Sequence, residues 1–145
     1  IGKLCKNVSA EEVDDYVLGY TCVNDATALP IIFEDPSFPQ WSRAKSFDTF
    51  TPFGPVIATD LDPQSLQVTA QLNGKIRQDY PVSDMFFSPL ELVQRISRGM
   101  TLLPGDIITC GTSLGALPMK PGSTIEIHID GSGTLSNTFA EGDGR

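Results

Sequence analysis

The apolar residues of this chain change period several times, and each change marks an element. Leu66, Val68, Ala70 and Leu72 alternate with polar residues, the two-residue repeat of a half-buried strand. Asn73-Gly74 follows, a pair that tolerates positive φ at both central positions of a tight hairpin, so residues 75–79 are the expected return strand. Ile125, Ile127 and Ile129 alternate with Glu126, His128 and Asp130, which predicts a strand with one wet face. Gly131-Ser132-Gly133 turns it into a last strand over 135–139. Residues 20–23 read as a short strand ending at Asn24-Asp25. Residues 107–110 read as another, after the turn Leu103-Pro104-Gly105-Asp106.

The period shifts to helical at two places. Ser9-Ala10-Glu11-Glu12 has the form of a capping box and predicts a helix running past Tyr16 and Val17 to a stop at Gly19. Ser88-Pro89-Leu90-Glu91 repeats the form with proline at the first helical position; Leu92, Val93 and Ile96 make its buried stripe, and Gly99 ends it. Between 26 and 54 no period is sustained, and Pro30, Pro36, Pro39 and Pro52 interrupt the segment. A stretch so long without a period is expected to be functional or mobile. Residues 141–145 are expected to fray. The elements add up to one β-rich α+β domain over residues 1–145, with two helices.

Composition narrows the function classes. The formal net charge is -8 and the Lys and Arg residues do not cluster, so binding along a nucleic-acid backbone is disfavoured. An anionic small molecule would need a local cationic pocket. The three cysteines (Cys5, Cys22 and Cys110) are widely spaced, with no C-x-x-C pair, which fits a reduced, cytoplasmic compartment better than a disulfide framework. No apolar run approaches the ~18 residues that span a bilayer, and no leader pattern is present. The chain opens Ile1-Gly2-Lys3 without methionine, which reads equally as a trimmed or a processed chain.

Several residues carry candidate chemistry. Gly111-Thr112-Ser113-Leu114-Gly115 matches the serine-nucleophile pattern G-x-S-x-G, but Pro118 and Pro121 leave no room for the helix that must follow, so a serine hydrolase is disfavoured. The same turn can instead offer backbone N–H groups and the Thr112 hydroxyl to a carboxylate. His128 is read as a surface strand residue. Asp25 is open to two readings, turn former or metal ligand. Residues 40–48 place Gln40, Arg43 and Lys45 between aromatic residues, which suits an anionic substrate as well as it suits a solvated loop.

Taken in order, these stretches resemble the fumarylacetoacetate hydrolase family. The matching motifs are Asn24-Asp25-Ala26-Thr27-Ala28, Arg43-Ala44-Lys45-Ser46-Phe47-Asp48-Thr49, Phe53-Gly54-Pro55 and Leu72-Asn73-Gly74 with Arg77-Gln78. Ser83-Asp84-Met85-Phe86-Phe87-Ser88, Met100-Thr101-Leu102-Leu103-Pro104-Gly105-Asp106 and Gly111-Thr112-Ser113 complete the set. The resemblance implies a mixed β-sandwich roll, usually a homodimer. It implies a metal-dependent hydrolase or lyase that cleaves or decarboxylates 2-oxo or β-diketo acids, with isomerase or hydratase chemistry as the alternative. It also implies Mg²⁺ or Mn²⁺ held by three carboxylates, of which Asp25 matches one. Lys45 matches the family lysine beside the site and Thr112 the threonine that contacts substrate oxygen; Gly111, Gln40 and Arg43 fall where other substrate-binding residues lie.

Two departures accompany the likeness. The family's Glu-x-Glu pair lies a few residues before the stretch matched by Ile1-Gly2-Lys3, and its His–Glu lid is N-terminal to that, so the chain is expected to be the C-terminal part of such an enzyme, or a non-catalytic piece completing a partner's site. Where many relatives read Ala-Arg-Asp, this chain has Ala28-Leu29-Pro30, and Arg43 is the expected source of the missing charge.

Overall fold

The computed structural model describes residues 1–142, so part of the expected frayed tail lies outside the described residues. Two antiparallel sheets form the frame. In the first, β1 (Tyr20–Val23) pairs with β2 (Phe53–Ala58) through a bulge between Tyr20 and Cys22. The second contains β3 (Gln67–Leu72), β4 (Lys75–Pro81), β5 (Thr124–Ile129) and β6 (Gly133–Thr138) in the order β4-β3-β5-β6. The β3–β4 turn has the conformation its residues favour: Asn73 has φ 52° and Gly74 φ 73°. Asn73 also accepts a bond from the Thr124 N–H at 2.9 Å, fixing the hairpin to the start of β5. The two sheets meet where the Ser132 hydroxyl donates to the Tyr20 carbonyl at 3.1 Å and the Cys22 thiol to the Gly133 carbonyl at 3.4 Å.

The helix α3 (Pro89–Gly99) starts as its sequence demands, with the Ser88 hydroxyl accepting from the Glu91 N–H and the Glu91 carboxylate accepting from the Ser88 N–H. Its inner face presents Val93, with Leu90 and Ile96 beside it, to Cys5, Val8, Val13 and Leu102. Ser97 is fully buried there and satisfied, accepting from the Val8 N–H and donating to the Gln94 carbonyl. Removing a buried valine side chain from such a cluster costs on the order of 2 kcal/mol.

Three expectations need correction. The first capping box does not form: the Ser9 hydroxyl donates to the Glu12 carboxylate, and only a 3-10 turn over Val13–Tyr16 follows. The Tyr16 carbonyl is taken by the Gly2 N–H at 2.8 Å, and Asp14 and Asp15 leave Val13 as the turn's only buried residue. Residues 107–110 are not assigned to a strand. The irregular stretch holds two short helices, α1 (Leu29–Ile32) and α2 (Trp41–Lys45), and β2 begins within it. The result is a β-rich α+β domain with more, and shorter, helices than expected.

Candidate active site

The Asp25 loop is fastened from three sides. Asn24 N–H donates to the Pro52 carbonyl at 3.0 Å, Ala26 N–H folds back onto the Asn24 carbonyl, and the Thr27 hydroxyl donates to the Asp25 carbonyl. Ala28 N–H then donates to the Ala44 carbonyl at 2.9 Å, which joins the start of α1 to the end of α2. That last bond brings Lys45 to Asp25. Its ammonium pairs with Asp25 Oδ2, the two side chains being 33% and 40% exposed. The ammonium also lies 5.9 Å from the Trp41 ring centroid, one helical turn earlier. Downstream, Thr49 (φ 67°) and Thr51 (φ 57°) both adopt the left-handed conformation that β-branched residues disfavour, each a cost of roughly 1–3 kcal/mol. Backbone strain of this kind gathers at functional loops.

Thr112 and Gly111 form a second group, held to β4. Gln78 donates from Nε2 to Thr112 Oγ1 at 2.8 Å and to the Ser113 carbonyl at 2.6 Å. Burial raises the Tyr80 hydroxyl above its usual range, opposed by its bonds to Thr112 and Ser113, so Tyr80 stands at the same turn. Gly115 (φ 105°) closes the turn so tightly that a Cβ there would sit 2.1 Å from the Arg77 carbonyl oxygen. Burial likewise raises the Cys110 thiol just before the turn.

The remaining candidates are placed differently. Arg43 faces Glu34 in an ion pair of 3.1 Å, with side chains 58% and 61% exposed, so its charge is spent locally and on the surface. Gln40 stands at the N-cap position of α2 without a side-chain cap bond, and its Nε2 reaches the Phe38 carbonyl at 3.4 Å. Ser113 uses its carbonyl in the Gln78 clasp, and a turn rather than a helix follows it, as expected against the serine-hydrolase reading. His128 is partly exposed on β5, and its ring is held on both sides: Nδ1 meets Thr134 Oγ1 at 2.9 Å and Nε2 meets Asp130 Oδ1 at 3.2 Å. Trp41, Gln78 and Tyr80 were missed as candidates. Trp41 reaches Lys45 through a four-residue helical spacing that the aperiodic stretch did not signal; Gln78 and Tyr80 depend on long-range packing that no local signal reports.

As a metal centre the described residues fall short. Mg²⁺ takes near-octahedral oxygen ligation. Among the described residues no three His, Cys, Asp or Glu side chains converge on one point, and Asp25 has one oxygen engaged by Lys45. Asp25 can lend an oxygen to a cation, but these residues do not complete a shell.

The arrangement sits on a known framework. Residues 1–140 match the fumarylacetoacetate (FAA) hydrolase C-terminal family. This chain belongs to the fumarylacetoacetate hydrolase family. It is 42% identical over 147 residues to the oxaloacetate tautomerase YisK of Bacillus subtilis, covering 94% of this chain and 48% of that protein. The 2-hydroxyhepta-2,4-diene-1,7-dioate isomerase of Mycobacterium marinum has a similar crystal structure, with a TM-score of 0.93 at 43% identity over 100% of this chain and 56% of that one. The fumarylacetoacetate hydrolase of psychrophilic Exiguobacterium antarcticum gives a TM-score of 0.91 at 34% identity, over 98% of this chain and 53% of that one. The chain therefore spans about half the length of these fumarylacetoacetate hydrolase family members. The family resemblance and the fold class read from the sequence are both borne out. No helix among the described residues is long and apolar enough to cross a membrane.

Proposed function

We propose that this chain supplies the lysine side of a site where a 2-oxo or β-diketo acid passes through its enolate. The observation that supports the reading is Lys45: a cation held by Asp25 and Trp41, still one-third exposed, at the end of a short helix tied to the Asp25 loop by a backbone bond. An ammonium fixed in advance beside a carbonyl oxygen favours the state in which that oxygen is negative, because the stabilising charge need not reorganise as the reaction proceeds. In this reading Lys45 Nζ stabilises the developing oxyanion and Asp25 orients it. Thr112 Oγ1, positioned by Gln78, anchors a substrate oxygen with the Gly111 backbone. Gln40 and Arg43 lie at the substrate's edge, where Arg43 must leave Glu34 to contribute.

The hydrolase or lyase reading and the isomerase reading share the enolate. Enol–keto proton transfer is supported more directly, since two of the relatives above 40% identity carry the names tautomerase and isomerase, while the fumarylacetoacetate hydrolase of Exiguobacterium antarcticum is at 34%. Oxaloacetate and an acylpyruvate are therefore the substrates to try first. We carry a requirement for Mg²⁺ or Mn²⁺ as part of the proposal, with Asp25 giving one ligand oxygen in the intact protein. A second reading, a piece that completes a site whose other groups lie elsewhere, is favoured by the absence of a three-ligand cluster among the described residues.

The test is turnover by the intact gene product, followed by the ultraviolet absorbance of the enol. Catalysed ketonisation or cleavage is expected, abolished by excess chelator and restored by Mg²⁺ or Mn²⁺. No turnover of either substrate with either metal would overturn the enzymatic reading. Weak Mn²⁺ binding by residues 1–145 alone, beside tight binding by the intact protein, is the outcome that favours the completing piece.

A further inference from the structure

The turn that carries Thr112 is seated on an irregular point of β4. Ala70 of β3 pairs with Gln78, and the register slips before the next pair, Gln71 with Ile76, so Arg77 is the extra residue of a bulge. A bulge bends its strand and re-aims the side chains beside it. Here the Arg77 carbonyl lies against Gly115, where a Cβ would come within 2.1 Å of its oxygen, and the half-buried Gln78 side chain reaches Thr112 and Ser113.

The partners of Gln78 decide which way round its amide sits. The Ser113 carbonyl, 2.6 Å away, has no proton to give, so the atom facing it is the NH₂ nitrogen. The second N–H of that nitrogen donates to Thr112 Oγ1 at 2.8 Å and occupies a lone pair there. A hydroxyl that accepts in this way keeps its own proton for another partner. The Tyr80 hydroxyl stands at the same turn and can take that proton while the site is empty. An ionised carboxylate attracts it roughly twice as strongly as a neutral phenol does. The N–H groups of Gly111 and Thr112 have no backbone partner among the described residues, so they add donors to the same turn.

We infer that Gln78 is a positioning residue that fixes Thr112 as a hydrogen-bond donor, so that this turn takes a group with acceptor oxygens only, a carboxylate, and refuses one that presents an O–H or N–H. The inference rests on the enolate reading above and deepens it. Lys45 acts where charge develops, whereas Thr112 holds a charge that is present before and after the reaction. An interaction equally strong in the bound and transition states sets KM and leaves kcat unchanged.

The test is a double-substitution cycle in the intact gene product, with kcat and KM measured on an acylpyruvate and a thermal melt of each variant. Gln78→Met keeps the length and removes the donors, and Thr112→Val keeps the shape and removes the hydroxyl. Each should raise KM roughly tenfold, as the loss of a hydrogen bond to a charged group, with kcat within about threefold of the parent. Together they should raise KM no more than about threefold beyond the larger single effect, because Gln78 acts through Thr112; a residue that only braces the fold would not couple in this way. Gln78→Glu, which cannot donate when ionised, replaces Gln78→Met if the latter does not fold, and should raise KM at least as far. A parental KM in either single variant, additive effects of about a hundredfold, or the failure of both Gln78 variants to fold would each overturn the inference. A parent without turnover sinks the enolate reading and this inference with it; an active parent beside an unchanged Gln78 variant sinks this inference alone.

Discussion

Replacing Lys45 by methionine tests the site most directly, because methionine keeps much of the stem over Trp41 and removes only the charge. The interaction at stake is between the ammonium and an enolate oxygen about 4 Å away. Such a pair is worth about 1 kcal/mol in water and about 4 kcal/mol at an effective dielectric near 20. Lys45 is 33% exposed, so solvent screens part of the upper figure, and about 2–3 kcal/mol remains. That corresponds to a fall in kcat of roughly 30- to 160-fold. The ion pair with Asp25 is similarly open to solvent, so stability should drop by less than about 1 kcal/mol. The assay is steady-state ketonisation of oxaloacetate by the intact protein, with kcat and KM separated and a urea melt run beside it. A variant whose kcat stays within threefold of the parent while KM rises would show that Lys45 only binds substrate, and the enolate argument would fail.

Three further outcomes are expected. Ser88→Ala removes the α3 cap that accepts the Glu91 N–H and should cost about 1 kcal/mol in urea denaturation, while Ser9→Ala, at a box that does not form, should cost clearly less. Gly115→Ala should destabilise by more than about 2 kcal/mol and weaken substrate binding, since its methyl group meets the Arg77 carbonyl and its φ of 105° is unsuited to alanine; equal melting temperatures would contradict this. Burial pushes Tyr20 up to about 12 from 10.0, so above pH 10 the unfolded chain loses this proton first and stability should decline between pH 10 and about 12. Tyr20→Phe should remove that part of the decline and, because the hydroxyl is buried without a partner among the described residues, should leave the protein as stable or up to about 1 kcal/mol more stable at pH 7.

The two S-x-x-E stretches show how far local reading reaches. Behind Ser88 stand a proline at the first position and apolar residues spaced to meet Cys5, Val8 and Val13, so local preference and packing agree. Behind Ser9 stand two aspartates, and the Gly2 N–H captures the Tyr16 carbonyl before a helix can extend. The strand β2 escaped notice because Phe53-Gly54-Pro55-Val56-Ile57-Ala58 has no alternation; its pairing with β1 defines it. For the site, Asp25 and Lys45 were legible through the ordered motifs of a family, whereas their contact follows from the Ala28–Ala44 backbone bond across the loop. Gln78 lay within a quoted motif, and its clasp on Thr112 became visible only once β4 was seen beside that turn.

The turn carrying Thr112 also lies against the backbone of β4, the outermost strand of its sheet, at a bulge where Arg77 has no partner in β3. Outer strands invite pairing with other chains, and a loop laid over such a strand is one way proteins prevent it. Loosening this turn should therefore do two things at once: misplace the substrate contact proposed for Thr112 and bare an adhesive flank. Variants at Gln78 or Gly115 that lose activity are expected to come from the less soluble fraction of a library as well, and screens that score colour alone would record two separate defects as one.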